Sequence, residues 1–166
     1  MHPYIARLRW GLLLLCIALP HSALCVDAGA PAPALVVQQT DGHMFDLAAF
    51  KGHVVVLHYC ASWCGPCRLE MPVLEALYRR YHGRGLEMLA VSVDSTHARD
   101  DFGDMMKPYH FPAAMLRDAD KDGFGAPDAI PVTYIIDKKG IIRNVFLPDN
   151  STLTATQLSD AVQPLL

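Results

Sequence analysis

Charge is scarce in this 166-residue chain: Asp, Glu, Lys and Arg make up 19%, and the net charge is only −3. A nucleic-acid surface would need a basic excess that is missing here, and an apolar content of 52% is too high for a disordered chain. Internal repeats and low-complexity linkers are absent, and 166 residues hold one domain with a substantial core rather than two. No apolar run reaches the ~20 residues that a membrane-crossing helix needs. The longest extends only from Trp10 to Leu19.

That short run follows Arg7 and Arg9, which is the layout of a signal peptide covering residues 1–25. Small residues at the −3 and −1 positions, in Ala23-Leu24-Cys25 and in Val26-Asp27-Ala28, predict cleavage after Cys25 or Ala28. A retained anchor that recruits Ile5 and Leu24 is one alternative. Lipidation at Cys25 is another, although Leu24 is bulky where a small residue is wanted. The expected address is the periplasm or another extracytoplasmic space. Without residues 1–25, Lys+Arg falls from 14 to 12 against 17 Asp+Glu, a mature charge of −5. Of five cysteines, Cys60, Cys64 and Cys67 then remain, too few and too clustered for a structural disulfide framework.

After a loose Ala28 to Ala34 segment, Leu35-Val36-Val37 reads as a strand, Asp41-Gly42 as a turn, and His43 to Asp46 as the returning hairpin strand. Val54 to Leu57 is apolar without alternation, the pattern of a strand buried on both faces. Leu69, Val73, Leu74, Leu77 and Tyr78 recur at helical spacing between Pro66 and Tyr81, and Gly83 and Gly85 stop that helix. Leu86 to Val93 is a second buried strand. Thr96 is placed to cap a polar helix running to about Lys107, and Ala113 to Leu116 reads as a short strand. Val132 to Ile136 and Ile141 to Phe146 flank the turn Lys139-Gly140, and Ser151 or Thr152 caps a terminal helix ending near Gln163-Pro164. This order predicts an α/β sandwich with helices on both faces of a mixed sheet.

Trp63-Cys64-Gly65-Pro66-Cys67 follows a buried strand and opens a helix. Unpaired N–H groups and the positive end of the macrodipole at a helix N-terminus stabilise a thiolate, which makes Cys64 the nucleophile. One helical turn brings Cys67 within bonding reach, suited to resolve the mixed disulfide through which exchange passes. A zinc half-site is the alternative, but it needs a second Cys or His pair that the chain lacks.

The motif resembles that of the thioredoxin superfamily, and Pro72 and Ile130-Pro131 stand where that superfamily carries prolines. The resemblance implies that Pro131 is cis and faces the redox pair, beside backbone that pairs with substrate. Cys64-Gly65-Pro66-Cys67-Arg68-Leu69-Glu70-Met71-Pro72 and Ile136-Asp137 resemble the exported TlpA/ResA/DsbE-like branch still more. That branch implies a thioredoxin fold over residues 34–166, with an N-terminal β-hairpin and an insertion before the cis-proline strand. It implies an exported thiol:disulfide oxidoreductase without cofactor or metal, reducing disulfides of other exported proteins, in cytochrome c or copper-site maturation. Its partners would be protein disulfides and dithiols and a membrane electron donor. The Gly-Pro dipeptide is that of thioredoxin, itself a reductant with a potential near ~−270 mV.

One departure is His58, where the superfamily carries Asp and the branch often Asn. His58 either shuttles the Cys67 proton or is a neutral core residue. Glu70 either takes part in proton management or is a solvated helix-face carboxylate. Cys60 reads as a small buried hydrophobe, with redox or metal involvement as the alternative. Asp118 to Gly123 copies half a calcium loop, but Ala129 stands where the bidentate Glu belongs, so a surface turn is expected. The scattered methionines are packing residues. The competing function is copper binding or delivery through Cys60, Cys64, Cys67 and His58.

Overall fold

The computed structural model describes residues 26–148 and 152–166. The expected leader and its two cysteines lie outside the described residues, as does Ser151.

Seven strands form one mixed sheet: β1 (Leu35–Gln39), β2 (Met44–Asp46), β3 (Val54–Cys60), β4 (Leu86–Ser92), β5 (Ala113–Asp122), β6 (Val132–Ile136) and β7 (Ile142–Phe146). Their spatial order is β2-β1-β5-β4-β3-β6-β7. The β3–β4 and β4–β5 pairs are parallel, and the others are antiparallel. All seven residues of β3 are buried, as the apolar run Val54 to Leu57 predicts for a central strand, and the burial extends to the polar His58.

The helices are α1 (Gly65–Tyr81), α2 (Arg99–Met106) and α3 (Ala155–Val162). Along α1 the inward stripe is Cys67, Glu70, Met71, Leu74, Leu77, Tyr78 and Tyr81. Leu69, expected on that stripe, is 66% exposed.

The mixed sheet flanked by helices, with its N-terminal hairpin, is the one expected from the sequence, but the buried residues of all three α-helices join a single cluster on one face of the sheet rather than covering both. Handedness explains this. The β3–α1–β4 and β4–α2–β5 crossovers step in the same direction along the sheet, so right-handed connections put both helices on the same side. The opposite core packs β1, β2 and the inner strands under Phe124 and the 3-10 turn Leu47–Phe50, with no α-helix packed on it among the described residues.

Three expectations need correction. The strand predicted over Ala113 to Leu116 continues to Asp122, so Asp118 to Asp122 is paired backbone opposite β1 rather than a surface turn. Asp118 binds Arg99 through both carboxylate oxygens at 2.7 and 2.8 Å, and Asp122 accepts from the Phe124 and Gly125 amides. The turn comes at Gly123, where a Cβ would stand 2.8 Å from Pro33 Cβ. The second helix starts with a 3-10 turn at Thr96–Ala98 and becomes α-helical only at Arg99. The terminal helix is capped by Thr154, not Ser151 or Thr152: Thr154 and Gln157 form a reciprocal capping box.

Candidate active site

β3 delivers the chain from the middle of the sheet to the N-terminus of α1. Alternation along β3 sends Val54, Val56 and Cys60 to the helix-covered face and Val55, Leu57 and Tyr59 to the other. His58 shares the helix side. Cys64 is the N-cap of α1, and Pro66 opens the first turn with the φ a helix requires and no N–H to satisfy.

Cys64 and Cys67 are joined as a disulfide with Cα atoms 5.3 Å apart. The Cys67 N–H donates to Cys64 Sγ at 3.2 Å, and the Arg68 N–H to the Cys64 carbonyl at 3.2 Å. Cys64 keeps 4% exposure and Cys67 none. Trp63, 71% exposed, and Leu69 stand as apolar surface near the pair in sequence. The Ile130–Pro131 bond is cis and leads into β6, the neighbour of β3.

A buried polar group lies where β3, β6 and α1 meet. His58 Nδ1 is 2.9 Å from Thr133 Oγ1 and 3.9 Å from Glu70 Oε2. His58 Nε2 has no hydrogen-bond partner. Glu70 is buried rather than a solvated helix-face carboxylate, and its Oε1 accepts the Leu153 N–H at 3.0 Å. Burial lowers the His58 pKa from 6.5 to about 4, so the ring is neutral at neutral pH and its approach to Glu70 is a polar contact, not an ion pair. Glu70, Thr133 and Pro131 also line a small pocket of about 30 Å³, together with residues that include Leu153 and Gln157.

A depressed histidine pKa makes stability depend on pH. The unfolded chain binds a proton at His58 between pH ~6.5 and about 4 while the folded chain does not. The contribution is therefore complete above ~6.5 and declines as pH falls toward about 4, by ~2–3 kcal/mol. Urea unfolding at pH 7.0, 5.5 and 4.5 should show this loss in the wild type and a flatter profile in His58→Asn. Parallel profiles would contradict the assignment.

Cys60 is fully buried and is the free cysteine among the described residues. Burial first, and the Asp94 charge second, push its thiol up, away from reactivity. No group of three or more His, Cys, Asp or Glu side chains is arranged to hold a metal ion among the described residues. Asp137, at the end of β6, accepts from the Lys139 and Ile141 amides and from Arg143. Burial opposes its charge, but those donors outweigh it and hold the carboxyl below the usual range, which fits a lock on the β6–β7 turn.

The sequence pointed to Cys64, Cys67, His58, Glu70 and Pro131, and the structure brings them to one end of the sheet. It did not point to Thr133, whose only signal is its place on β6 two residues after Pro131. Nor did it point to Ser62 and Asp94, which sit beside the motif.

A Cys-x-x-Cys disulfide at the mouth of a helix, in a sheet of this order, is the working part of a thioredoxin-fold thiol-disulfide oxidoreductase, and that is the class of this protein. More particularly, the chain belongs to the AhpC/TSA family, which it matches over residues 28–145. It is 30% identical over 138 residues to the thiol-disulfide oxidoreductase ResA of Bacillus subtilis, covering 81% of this chain and 74% of that one. With ResA of Bacillus cereus it shares 32% identity over 117 residues, 69% of this chain and 66% of the relative. A crystal structure of a thiol:disulfide interchange protein of the thioredoxin family from Chlorobium tepidum has the same fold, with a TM-score of 0.68 at 22% identity over 85% of this chain and 99% of that one.

Proposed function

We propose that the protein is an extracytoplasmic reductant of disulfides in other exported proteins, drawing electrons from a membrane donor and serving cytochrome c or copper-site maturation. The observation that carries the reading is the asymmetry of the pair. Cys64 Sγ receives an amide at the mouth of α1 and keeps some exposure, while Cys67 is closed off. The signal-peptide layout of residues 1–25 and the ResA relatives support the location and the protein substrates.

In this reading the Cys64 thiolate attacks one sulfur of a partner disulfide, forming a mixed disulfide and releasing the other sulfur as a thiol. Cys67 then loses its proton and attacks Cys64 Sγ. The Cys64–Cys67 disulfide forms, the second partner thiol departs, and two electrons have passed to the partner. Pro131 presents the adjacent β6 backbone to the incoming chain.

His58 and Glu70 manage the proton. Buried unpaired N–H groups are rarer than buried unpaired lone pairs, which favours the tautomer with Nδ1–H donating to Thr133 Oγ1 and a bare lone pair at Nε2. With a pKa of about 4, His58 does not store the Cys67 proton. It relays it: Nε2 accepts while the Nδ1 proton leaves through the Thr133 hydroxyl it is bonded to, with the Glu70 carboxylate, 3.9 Å from Nδ1, as the nearby base.

The direct test is the reduced protein's chemistry. The alkylation-rate profile of Cys64 should give a pKa below the ordinary ~8.5, with Cys67 and Cys60 reacting more slowly. A glutathione titration should place the couple closer to ~−270 mV than to the ~−120 mV of a strong oxidant. A Cys64 pKa above the ordinary value removes the nucleophile assignment, and a potential near the oxidising end reverses the direction of transfer.

A further inference from the structure

We infer that Asp94 is a positioning residue for the redox pair, acting through Ser62. The inference rests on the Cys64–Cys67 reading and adds to it the element that holds the nucleophile in place. Asp94 follows the end of β4 and is 1% exposed, and Ser62 and Ser92 are buried with it. One carboxylate oxygen accepts the Ser62 N–H at 2.7 Å and the Ser92 hydroxyl at 2.7 Å, and the other accepts the Ser62 hydroxyl at 3.0 Å. The Asp94 N–H returns a bond to Ser92 Oγ at 3.0 Å. From the other side, Arg68 Nε donates to the Ser62 carbonyl at 2.8 Å.

Ser62 is thus held at its amide, hydroxyl and carbonyl, only two residues before Cys64. The turn it anchors closes with the Cys64 N–H donating to the Ala61 carbonyl at 3.1 Å, and the Val93 N–H ties β4 to the Cys60 carbonyl at 2.9 Å. Helix geometry fixes Cys67 on α1, but Cys64 is the N-cap, where the chain has left the helix and needs another support. The carboxylate supplies it from the adjacent strand. A buried acid is an expensive anchor unless its oxygens are all engaged, and here three donors engage them.

Position matters because the stability of the Cys64–Cys67 disulfide against glutathione measures how closely the two thiols are held together. Loosening Cys64 lowers that effective concentration and makes the couple more oxidising. Asp94→Asn keeps an oxygen for the Ser62 amide and gains an N–H₂ that can donate to a serine hydroxyl, so it separates position from charge.

The experiment is glutathione equilibration of wild type, Asp94→Ala, Asp94→Asn and Ser62→Ala, each checked for native near-UV dichroism. Equilibration of the wild type itself tests the Cys64–Cys67 reading, and the variants test only the anchor. Asp94→Ala should lower the equilibrium constant for the disulfide about tenfold, a shift of about 30 mV toward oxidising. Ser62→Ala should move it about threefold in the same direction, and Asp94→Asn should stay within about twofold of wild type. The inference fails if Asp94→Ala and Ser62→Ala keep the wild-type constant, or if Asp94→Asn shifts it as far as Asp94→Ala does. Should Asp94→Ala not fold, an unchanged constant in Ser62→Ala overturns the inference by itself.

Discussion

Cys67→Ser is expected to lose insulin-reduction turnover by a factor of about 10³ or more and to leave Cys64 blocked in mixed disulfides with the proteins it attacks. The first half of the exchange survives in this variant, because Cys64 keeps its place at the mouth of α1 and the amide directed at its sulfur. The second half does not. An intramolecular thiol held within a helical turn acts at an effective concentration of up to ~10⁵ M or more, and the serine hydroxyl does not replace it as a nucleophile. Cys64→Ser should be equally inactive but free of adducts, since Cys67 has no exposed surface through which to meet a partner. Non-reducing gels of the two variants after incubation with oxidised protein substrates read the difference. Adducts on Cys67 in Cys64→Ser would exchange the roles of the two sulfurs.

His58→Asn carries the second large effect. If the ring relays the Cys67 proton, insulin reduction should slow by ~10²–10⁴, the usual contribution of a positioned acid–base group, while the Cys64 pKa stays near its wild-type value. Asparagine can still meet Thr133 Oγ1, so the strand pairing around position 58 has a substitute partner and the melting temperature should move little. If His58 is instead a core residue and nothing more, the order reverses. Exchange by the folded protein would be unchanged, and any effect would be confined to stability. Stopped-flow exchange and a thermal melt on one preparation separate the two, and unchanged kinetics ends the relay. Glu70→Gln should copy the kinetic loss if the carboxylate is the terminal acceptor.

The parts of this fold that were legible in the sequence share one property: their signal is local. The apolar stretches of β3 and β4, the Gly-Pro between the cysteines and the Lys139-Gly140 turn each report on their own neighbourhood. The second half of β5 did not, because Arg117 to Asp122 is almost wholly polar and only the backbone opposite β1 makes it a strand. Leu69 fits a helical period yet faces outward, 66% exposed, two residues after Cys67. The Thr154 cap was written in the chain as Thr-x-x-Gln, and the more obvious Ser151-Thr152 pair drew the assignment away from it. The site divides in the same way. Cys64 and Cys67 announce themselves, whereas the burial of Glu70 depends on β3 and on Leu153, and the grip of Asp94 on Ser62 joins the end of β4 to the loop after β3. Such pairings have no local pattern to betray them.

The position of β5 between β4 and β1 also bears on how the chain comes into being. A polypeptide leaves the ribosome N-terminus first, so β1 emerges long before the strand it will lie against, Leu35 waiting for Asp122. An unpaired strand is open to any other edge it meets in that interval. The turn at Asp41-Gly42 gives β1 a companion within a few residues, β2, which covers one of its edges at once. The β3–α1–β4 unit follows and can close on itself, with Val54 opposite Leu86 and the cysteine pair inside it. The short outer hairpin thus shields an edge of the first described strand early, and the cysteine pair can be placed before the sheet is complete, Pro131 and Thr133 joining it only when β6 pairs with β3.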